Sequence, residues 1–220
     1  MLPHDFPNYK TVNHYYNQWR REGRWDQILQ ALNQLYRQHQ GRESTPSAGA
    51  LDSQSVKTVA LSGVHGYDGG KKLNGRKRHI VVDTLGLLMA IVVTSAKAGD
   101  GEVAPQVLEQ VTPERYPRFL LLWADRAYEK YGFPAWVAEH GYYKLEIKKR
   151  NPNADGFEVI AKRWVVERTF GWLMWHRRLS KDYEHTLNSS ENMVRIALIQ
   201  IMLKRLEPTP GQKRLNIRTS

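Results

Sequence analysis

The run Phe119-Leu120-Leu121-Leu122-Trp123-Ala124-Asp125 is six apolar residues closed by a carboxylate. It has the length of a strand, and its lack of polar alternation marks a strand covered on both faces. A carboxylate where such a strand ends stands where α/β sheets bind their ligands. Upstream, residues 50–56 suit a short strand carrying Asp52. Residues 61–75 are glycine-rich and read as loop. Two β-branched runs, 76–83 and 88–95, are joined through Leu85-Gly86-Leu87 and read as a hairpin. Residues 101–111 read as a helix with Asp100 as its N-cap. Downstream, 130–140 reads as a helix and 143–148 as a strand. A long amphipathic helix is expected over 157–178 and another, starting Ser-Glu, over 190–206. Strands interleaved with helices give the α/β class, a mixed sheet flanked by helices.

Ahead of this unit, residues 11–22 place Val12, Tyr15, Tyr16 and Trp19 at helical spacing, and Gly23 stops the run. A second short helix carries Ile28, Leu29, Leu32, Leu35 and Tyr36 on one face. The polar, turn-rich stretch 41–49 reads as a linker. Three parts are therefore expected: a short N-terminal helical segment over 1–45, an α/β domain over 46–207, and a polar, disordered tail over 208–220. No internal repeat is evident.

Composition narrows the function. No run approaches the roughly 20 apolar residues of a membrane span, and residues 1–10 lack the pattern of a secretory leader. The chain has no cysteine, which excludes disulfides, thiol catalysis and cysteine zinc sites and suits a reducing cytoplasm. Thirty-three Lys and Arg against 22 Asp and Glu leave a net charge of +11. Such a surface favours polyanions, and nucleic acid foremost. The excess is uneven: residues 144–220 hold 16 basic and 8 acidic side chains, and 71–78 hold five basic and none acidic.

Three carboxylates stand out. Asp52 lies on the first candidate strand, Asp125 ends the buried one, and Glu167 lies on the long helix. Without a cation, three converging carboxylates repel and raise one another's pKa. Hard divalent ions turn the repulsion into attraction, since magnesium takes oxygen ligands and keeps waters. Two such ions can hold a phosphate between them. Spacing alone does not bring the three together, because they are 73 and 42 residues apart.

The segments around these residues resemble the DDE transposases of bacterial insertion sequences, in the insertion-sequence four/five superfamily. The resemblance is carried by Leu51-Asp52-Ser53-Gln54-Ser55-Val56-Lys57, Gly66-Tyr67-Asp68-Gly69-Gly70-Lys71-Lys72 and the hairpin stretch 75–87. Ala124-Asp125-Arg126-Ala127-Tyr128 and Arg163-Trp164-Val165-Val166-Glu167-Arg168-Thr169-Phe170 complete it. It covers nearly the whole chain, from about residue 2 to 206. It implies a ribonuclease H-like domain with the first Asp on the first strand, the second at the fourth, and the Glu on a later helix. It also implies Asp52, Asp125 and Glu167 as catalytic residues and metal ligands. They would hold two Mg²⁺ per site, with Mn²⁺ able to substitute. The implied reaction is hydrolysis at transposon ends followed by attack of the freed 3′-hydroxyl on target DNA. The implied partners are double-stranded DNA and further copies of the chain, as a dimer or higher assembly. The implied setting is the cytoplasm, at the nucleoid, with no membrane.

The chain departs from that pattern in two places. Relatives carry Tyr-x-x-Arg-x-x-x-Glu-x6-Lys around the Glu. Arg163 and Glu167 fit, but Ile160 stands for the Tyr and Met174 for the Lys. Arg177, three residues on, is the expected replacement cation. Relatives also have further N-terminal sequence that helps bind transposon ends, of which 1–45 reads as the remnant. A rival reading follows: a truncated, inactive DNA-binding protein that occupies ends without cutting. A nuclease or resolvase lacking strand transfer shares the chemistry of the first step.

The remaining cations and aromatics divide between DNA and core. Lys71, Lys72, Arg76, Lys77 and Arg78 flank the glycine-rich loop and are expected on phosphates, against a solvated edge strand as the plain alternative. Arg163, one turn before Glu167, is expected on the scissile phosphate rather than in an ion pair. Arg177 and Arg178 are expected on DNA. Trp164 and Phe170 are expected in the core. Base stacking is the other use for the Trp-rich stretch 164–175. His65, His79 and His140 lack zinc spacing and read as structural or loop residues. Asp83 is expected at the hairpin edge.

Overall fold

The structure is a computed structural model and describes residues 5–59, 63–148 and 164–207. Six strands form one mixed sheet: β1 (Ala48–Lys57), β2 (Gly66–Asp68), β3 (Leu73–Asp83), β4 (Leu88–Ser95), β5 (Leu121–Asp125) and β6 (Lys144–Lys148). One edge of β3 lies antiparallel to β1. Its other edge takes β2 at the start and β4 along the rest. β5 joins β1 in parallel and β6 joins β5 in parallel. The mixed sheet is the fold class expected, with one difference. The glycine-rich loop contains the three-residue β2, so Asp125 ends the fifth strand and not the fourth.

Alternation along the strands sorts the side chains into two cores. Ala48 and Ala50 of β1, Ile80 and Val82 of β3 and Trp123 of β5 face α2 (Arg24–His39), α5 (Trp164–Met174) and α6 (Leu187–Leu206). Leu51, Val81, Leu122 and Ala124 face α3 (Asp100–Leu108) and α4 (Phe133–His140). The result is a sheet between two helical layers.

The helix boundaries follow local chemistry. α1 (Tyr9–Arg21) is capped by the Asn8 side chain, which accepts from the Lys10 amide at 3.0 Å, and none of its residues is buried. Gly23, at φ 68°, turns the chain directly into α2. α2 buries Leu29 in the sheet's core, and its Asn33 donates to the Leu88 carbonyl at 3.0 Å. α3 is capped at Gly99, so Asp100 is its first residue and not its cap. α4 starts at Phe133, after a short 3-10 turn over Arg126–Glu129. α5 stops at Met174, four residues before the end expected, and a separate 3-10 turn over Arg177–Leu179 follows. The expected start of that helix, like the tail, lies outside the described residues. α6 starts at Leu187, capped by Thr186, whose hydroxyl accepts from the Ser189 amide at 3.1 Å.

Asp83 does hold the hairpin edge. Its Oδ1 accepts from the amides of Leu85 at 2.8 Å and Leu87 at 2.9 Å, and its Oδ2 pairs with Arg37 of α2. Both partners are buried. Burial raises the Asp83 pKa, while the two amides and Arg37 oppose the rise. Removing one partner of a buried pair leaves an uncompensated charge, which costs about 3–5 kcal/mol. Arg37→Ala is therefore expected to lower the unfolding free energy by about that amount in urea titration. The exposed Arg21→Ala is expected to change it by less than about 0.5 kcal/mol.

Candidate active site

Ala48 pairs with Leu121, Gly49 with Leu122 and Ala50 with Trp123, a constant offset of 73 residues. Asp52 and Asp125 are separated by the same 73 residues. The shared offset sets the two carboxylates at one level of neighbouring parallel strands, two residues past the last paired positions, Ala50 and Trp123. Period-two alternation puts Asp52 on the face of Ala48 and Ala50, and Asp125 on the face of Trp123. That is the face covered by α5.

Backbone donors orient both groups. The Ser53 amide donates to Asp52 Oδ1 at 2.7 Å. The Ala127 amide donates to Asp125 Oδ1 at 2.8 Å, so Asp125 also caps the 3-10 turn that follows β5. The buried Tyr128 lies in the core on the α3 and α4 side of the sheet. Burial raises its pKa well above the ordinary phenol, and Asp52, Asp100 and Asp125 each push it further. Asp100 approaches from this same side of the sheet, where it accepts from Ser53 Oγ at 2.7 Å and pairs with Lys77 Nζ at 3.1 Å. It ties α3 to β1 and β3.

Glu167 lies in the first turn of α5 and is exposed. Val165, Val166, Phe170 and Leu173 seat this helix in the core. Thr169 Oγ1 donates to the Gly86 carbonyl at 2.9 Å, and Arg168 donates to the Leu85 carbonyl at 3.0 Å. Gly86, at φ 80°, leaves no room for a side chain: a Cβ would come within 2.8 Å of Thr169 Oγ1. The register thus sets Asp52 and Asp125 at one level of adjoining strands, and Glu167 is on the helix that packs on that face. Among the described residues, no three His, Asp, Glu or Cys side chains form a group that could hold a metal ion. The aspartate pair supplies the hard oxygen donors that magnesium or manganese takes.

The expected DNA contacts fare unevenly. Lys71 and Lys72 are exposed in the tight turn between β2 and β3, where Asp68 Oδ1 accepts from the Gly70 and Lys71 amides. Arg76 and Arg78 correct the expectation, because both are fully buried. Arg76 pairs with Asp182 at 3.0 Å and donates to the carbonyls of Val64, Glu184 and His185, each at 2.8 Å. Arg78 donates to the Leu179 carbonyl at 3.0 Å, and burial lowers its pKa to about 10. Lys77 is buried, donating to the Ala98 carbonyl at 2.8 Å as well as pairing with Asp100. A β3 covered on both faces turns its cations into staples.

Arg177 and Arg178 are exposed, and Arg178 pairs with Glu184 at 2.6 Å. Because α5 ends at Met174, Arg177 does not continue its helical face. Arg163 lies outside the described residues. Trp164 is 43% exposed, against the core position expected, while Phe170 is buried as expected. Ser53 and Tyr128 are neighbours that the motifs gave no role, while Lys77, expected on phosphates, is tied to Asp100 and the Ala98 carbonyl instead. Their adjacency to Asp52 and Asp125 in the chain was the available signal for Ser53 and Tyr128.

The model of the transposase DDE domain matches residues 43–203, which is most of the chain. The chain belongs to the DDE transposase domain family. A Burkholderia cepacia protein named as a transposase for insertion sequence element IS402 is 31% identical over 116 residues, covering 50% of this chain and 54% of that protein. The chain spans about half the length of that curated relative. A solved structure, the HTLV-2 integrase catalytic core domain in complex with magnesium in a dimeric form, is 18% identical. It covers 77% of this chain and 94% of that one, with a TM-score of 0.43. Among the described residues, no helix of this transposase domain is long and apolar enough to cross a membrane.

His79 lies opposite Ser53 on β3 and gives the site a pH signature. It is fully buried, with Nε2 3.0 Å from Thr94 Oγ1. Burial lowers its pKa to about 4; Asp100 opposes that shift, and Lys77 and Lys71 add to it. Unfolded histidine titrates near 6.5. Between about pH 6.5 and 4 the unfolded chain therefore binds more protons, and stability falls as the pH falls through that window. The loss from this residue is about 3 kcal/mol. Asp83 and Glu191, whose pKa values burial raises, act in the opposite sense. The readout is accordingly a difference. The stability advantage of the unmodified chain over His79→Gln is expected to shrink on acidification from pH 7 to 4.5. A gap that stays constant across urea titrations would mean that His79 does not fold neutral.

Proposed function

We propose that this chain performs the phosphoryl chemistry of a DDE transposase, cutting DNA at transposon ends and joining the freed 3′-hydroxyl to target DNA. The observation that carries the reading is the shared offset of 73 residues in the strand register and in the Asp52–Asp125 spacing. Asp52 and Asp125 would hold divalent cations, with Glu167 as the third carboxylate; two Mg²⁺ are expected, and Mn²⁺ in their place. When bound, such ions activate water and stabilise the leaving oxygen of an in-line displacement.

The protein's own contribution is position. The Ser53 and Ala127 amides fix the aspartates in orientation. α5, held on the hairpin turn by Thr169 and Arg168, carries Glu167 over the same face. Lys71, Lys72, Arg177 and Arg178 are the exposed cations from which duplex phosphates would be held. Arg163 retains its proposed place on the scissile phosphate. Partners are double-stranded DNA and further copies of this chain, in the bacterial cytoplasm at the nucleoid.

The test is nicking of a labelled transposon-end duplex with Mg²⁺ or Mn²⁺. Metal-dependent nicking is expected for the unmodified chain, with a loss of at least a hundredfold in Asp52→Ala, Asp125→Ala and Glu167→Gln. Equal nicking by unmodified and Asp125→Ala chains would exclude the site. Salt-sensitive binding without nicking would favour the rival, a protein that occupies ends without cutting. Nicking without joining would leave a nuclease.

Salt dependence separates the cations. Each phosphate contact adds about 0.9 to the slope of log affinity against log salt. Lys71→Ala with Lys72→Ala is expected to flatten that slope by about two. Arg76→Ala is expected to lower stability instead.

A further inference from the structure

We propose that the exposed ridge of α5 carrying Glu167 and Gly171 is a track for one DNA strand, and that Trp175, the first residue past the helix, receives an unstacked base at its end. The inference rests on the functional reading above. Glu167 and Gly171 are spaced by four, which makes them one row on the helix surface, and Trp175 follows directly after the last helical residue, Met174. All three are exposed, while Val165, Val166, Thr169, Phe170 and Leu173 take the buried side.

Gly171 marks the middle of the ridge. Glycine inside a helix costs about 1 kcal/mol relative to alanine. A Cβ at this position would meet nothing within 4 Å, so packing within the chain does not call for glycine there. What glycine offers instead is close approach of an outside backbone to the helix.

Trp175 marks the end. It is 90% exposed, a large aromatic that the fold leaves in water. A cleft of about 550 Å³ beside it is lined by Trp172, His176, Arg177, Lys204 and Arg205, with no carboxylate in its lining. Arg205 is already stacked on Trp172, 3.9 Å from the ring centroid. Exposed Arg177 and Lys204 remain at the surface. An aromatic face beside cations fits a nucleobase with its phosphate. A base within a paired duplex hides its π-face in the stack, so the fitting ligand is an unpaired nucleotide next to duplex.

The experiment is fluorescence anisotropy without metal, using two labelled duplexes that differ only in three unpaired nucleotides at each 3′ end. The unmodified chain is expected to prefer the frayed duplex. Trp175→Ala is expected to weaken frayed binding about tenfold and paired binding less than twofold, and Trp175→Phe to restore most of the loss. Gly171→Glu is expected to weaken both duplexes about tenfold, with circular-dichroism melting unchanged within a few degrees. Equal affinity of Trp175→Ala and unmodified chains for the frayed duplex would overturn the base site, and unaltered binding by Gly171→Glu would overturn the track. Absence of salt-sensitive binding by the unmodified chain is a separate result, which would overturn the functional reading itself.

Discussion

The parallel pairing of β1 with β5 is the constraint on which the site depends. Parallel strands cannot be joined by a tight turn, so a long crossover has to bring them side by side. Here that crossover includes β3, β4 and α3. Once Ala48 lies beside Leu121, Asp52 and Asp125 stand at the same level two residues past the last pair, Ala50 and Trp123. A slip of one residue would also turn one carboxylate to the opposite face, because side chains alternate with period two. The register is held by apolar burial: Ala50 and Leu122 are almost wholly enclosed, on opposite faces. Core packing and site geometry are thus one requirement.

The basic residues show how burial redirects charge. Counted along the chain, 71–78 looks like a single cationic surface. In the fold it divides at the start of β3. Lys71 and Lys72 stay in a turn that only solvent covers, while Arg76, Lys77 and Arg78 enter a strand whose two edges and two faces are all occupied. A buried guanidinium must be paired and hydrogen-bonded, and Arg76 finds Asp182 and two carbonyls in the connection leading to α6, with a third at Val64 ahead of β2. That connection has little regular structure of its own, so the arginine gives its backbone oxygens the donors they would otherwise lack.

The fold was legible where periodicity was strong. The run ending at Asp125, the hairpin over β3 and β4 and the α6 pattern each carry enough apolar residues to declare strand or helix. Asp83 at the hairpin edge was legible for the same reason, since a short acidic side chain before Leu85-Gly86-Leu87 has amides to accept from. Other features depend on partners distant in the chain. β2 is three residues that exist because β3 offers them an edge. Asp100 moved from cap to ion pair because Lys77 lies across from it. Trp164 shares the helical pattern of Phe170, yet it lies on the opposite side of α5 from the sheet. The two aspartates were recognisable as a motif, but their convergence rests on a strand register that no local pattern contains.

Glu167 is placed by a different kind of contact from the aspartates. The strands fix Asp52 and Asp125 through backbone hydrogen bonds, which leave little freedom. Glu167 depends on how α5 lies on the sheet, and that is set by Val166 and Phe170 below and by the Leu85–Gly86 turn through Arg168 and Thr169. A helix on a sheet can shift by an ångström or two by repacking, at much smaller cost than breaking a ladder. In the proposed site Glu167 is therefore the adjustable member, and the Gly86 turn is the part of the fold that governs it. The hydrogen bond from Thr169 to the Gly86 carbonyl holds α5 against the turn. Any movement of Glu167 toward the aspartates has to come from sliding or tilting about that contact.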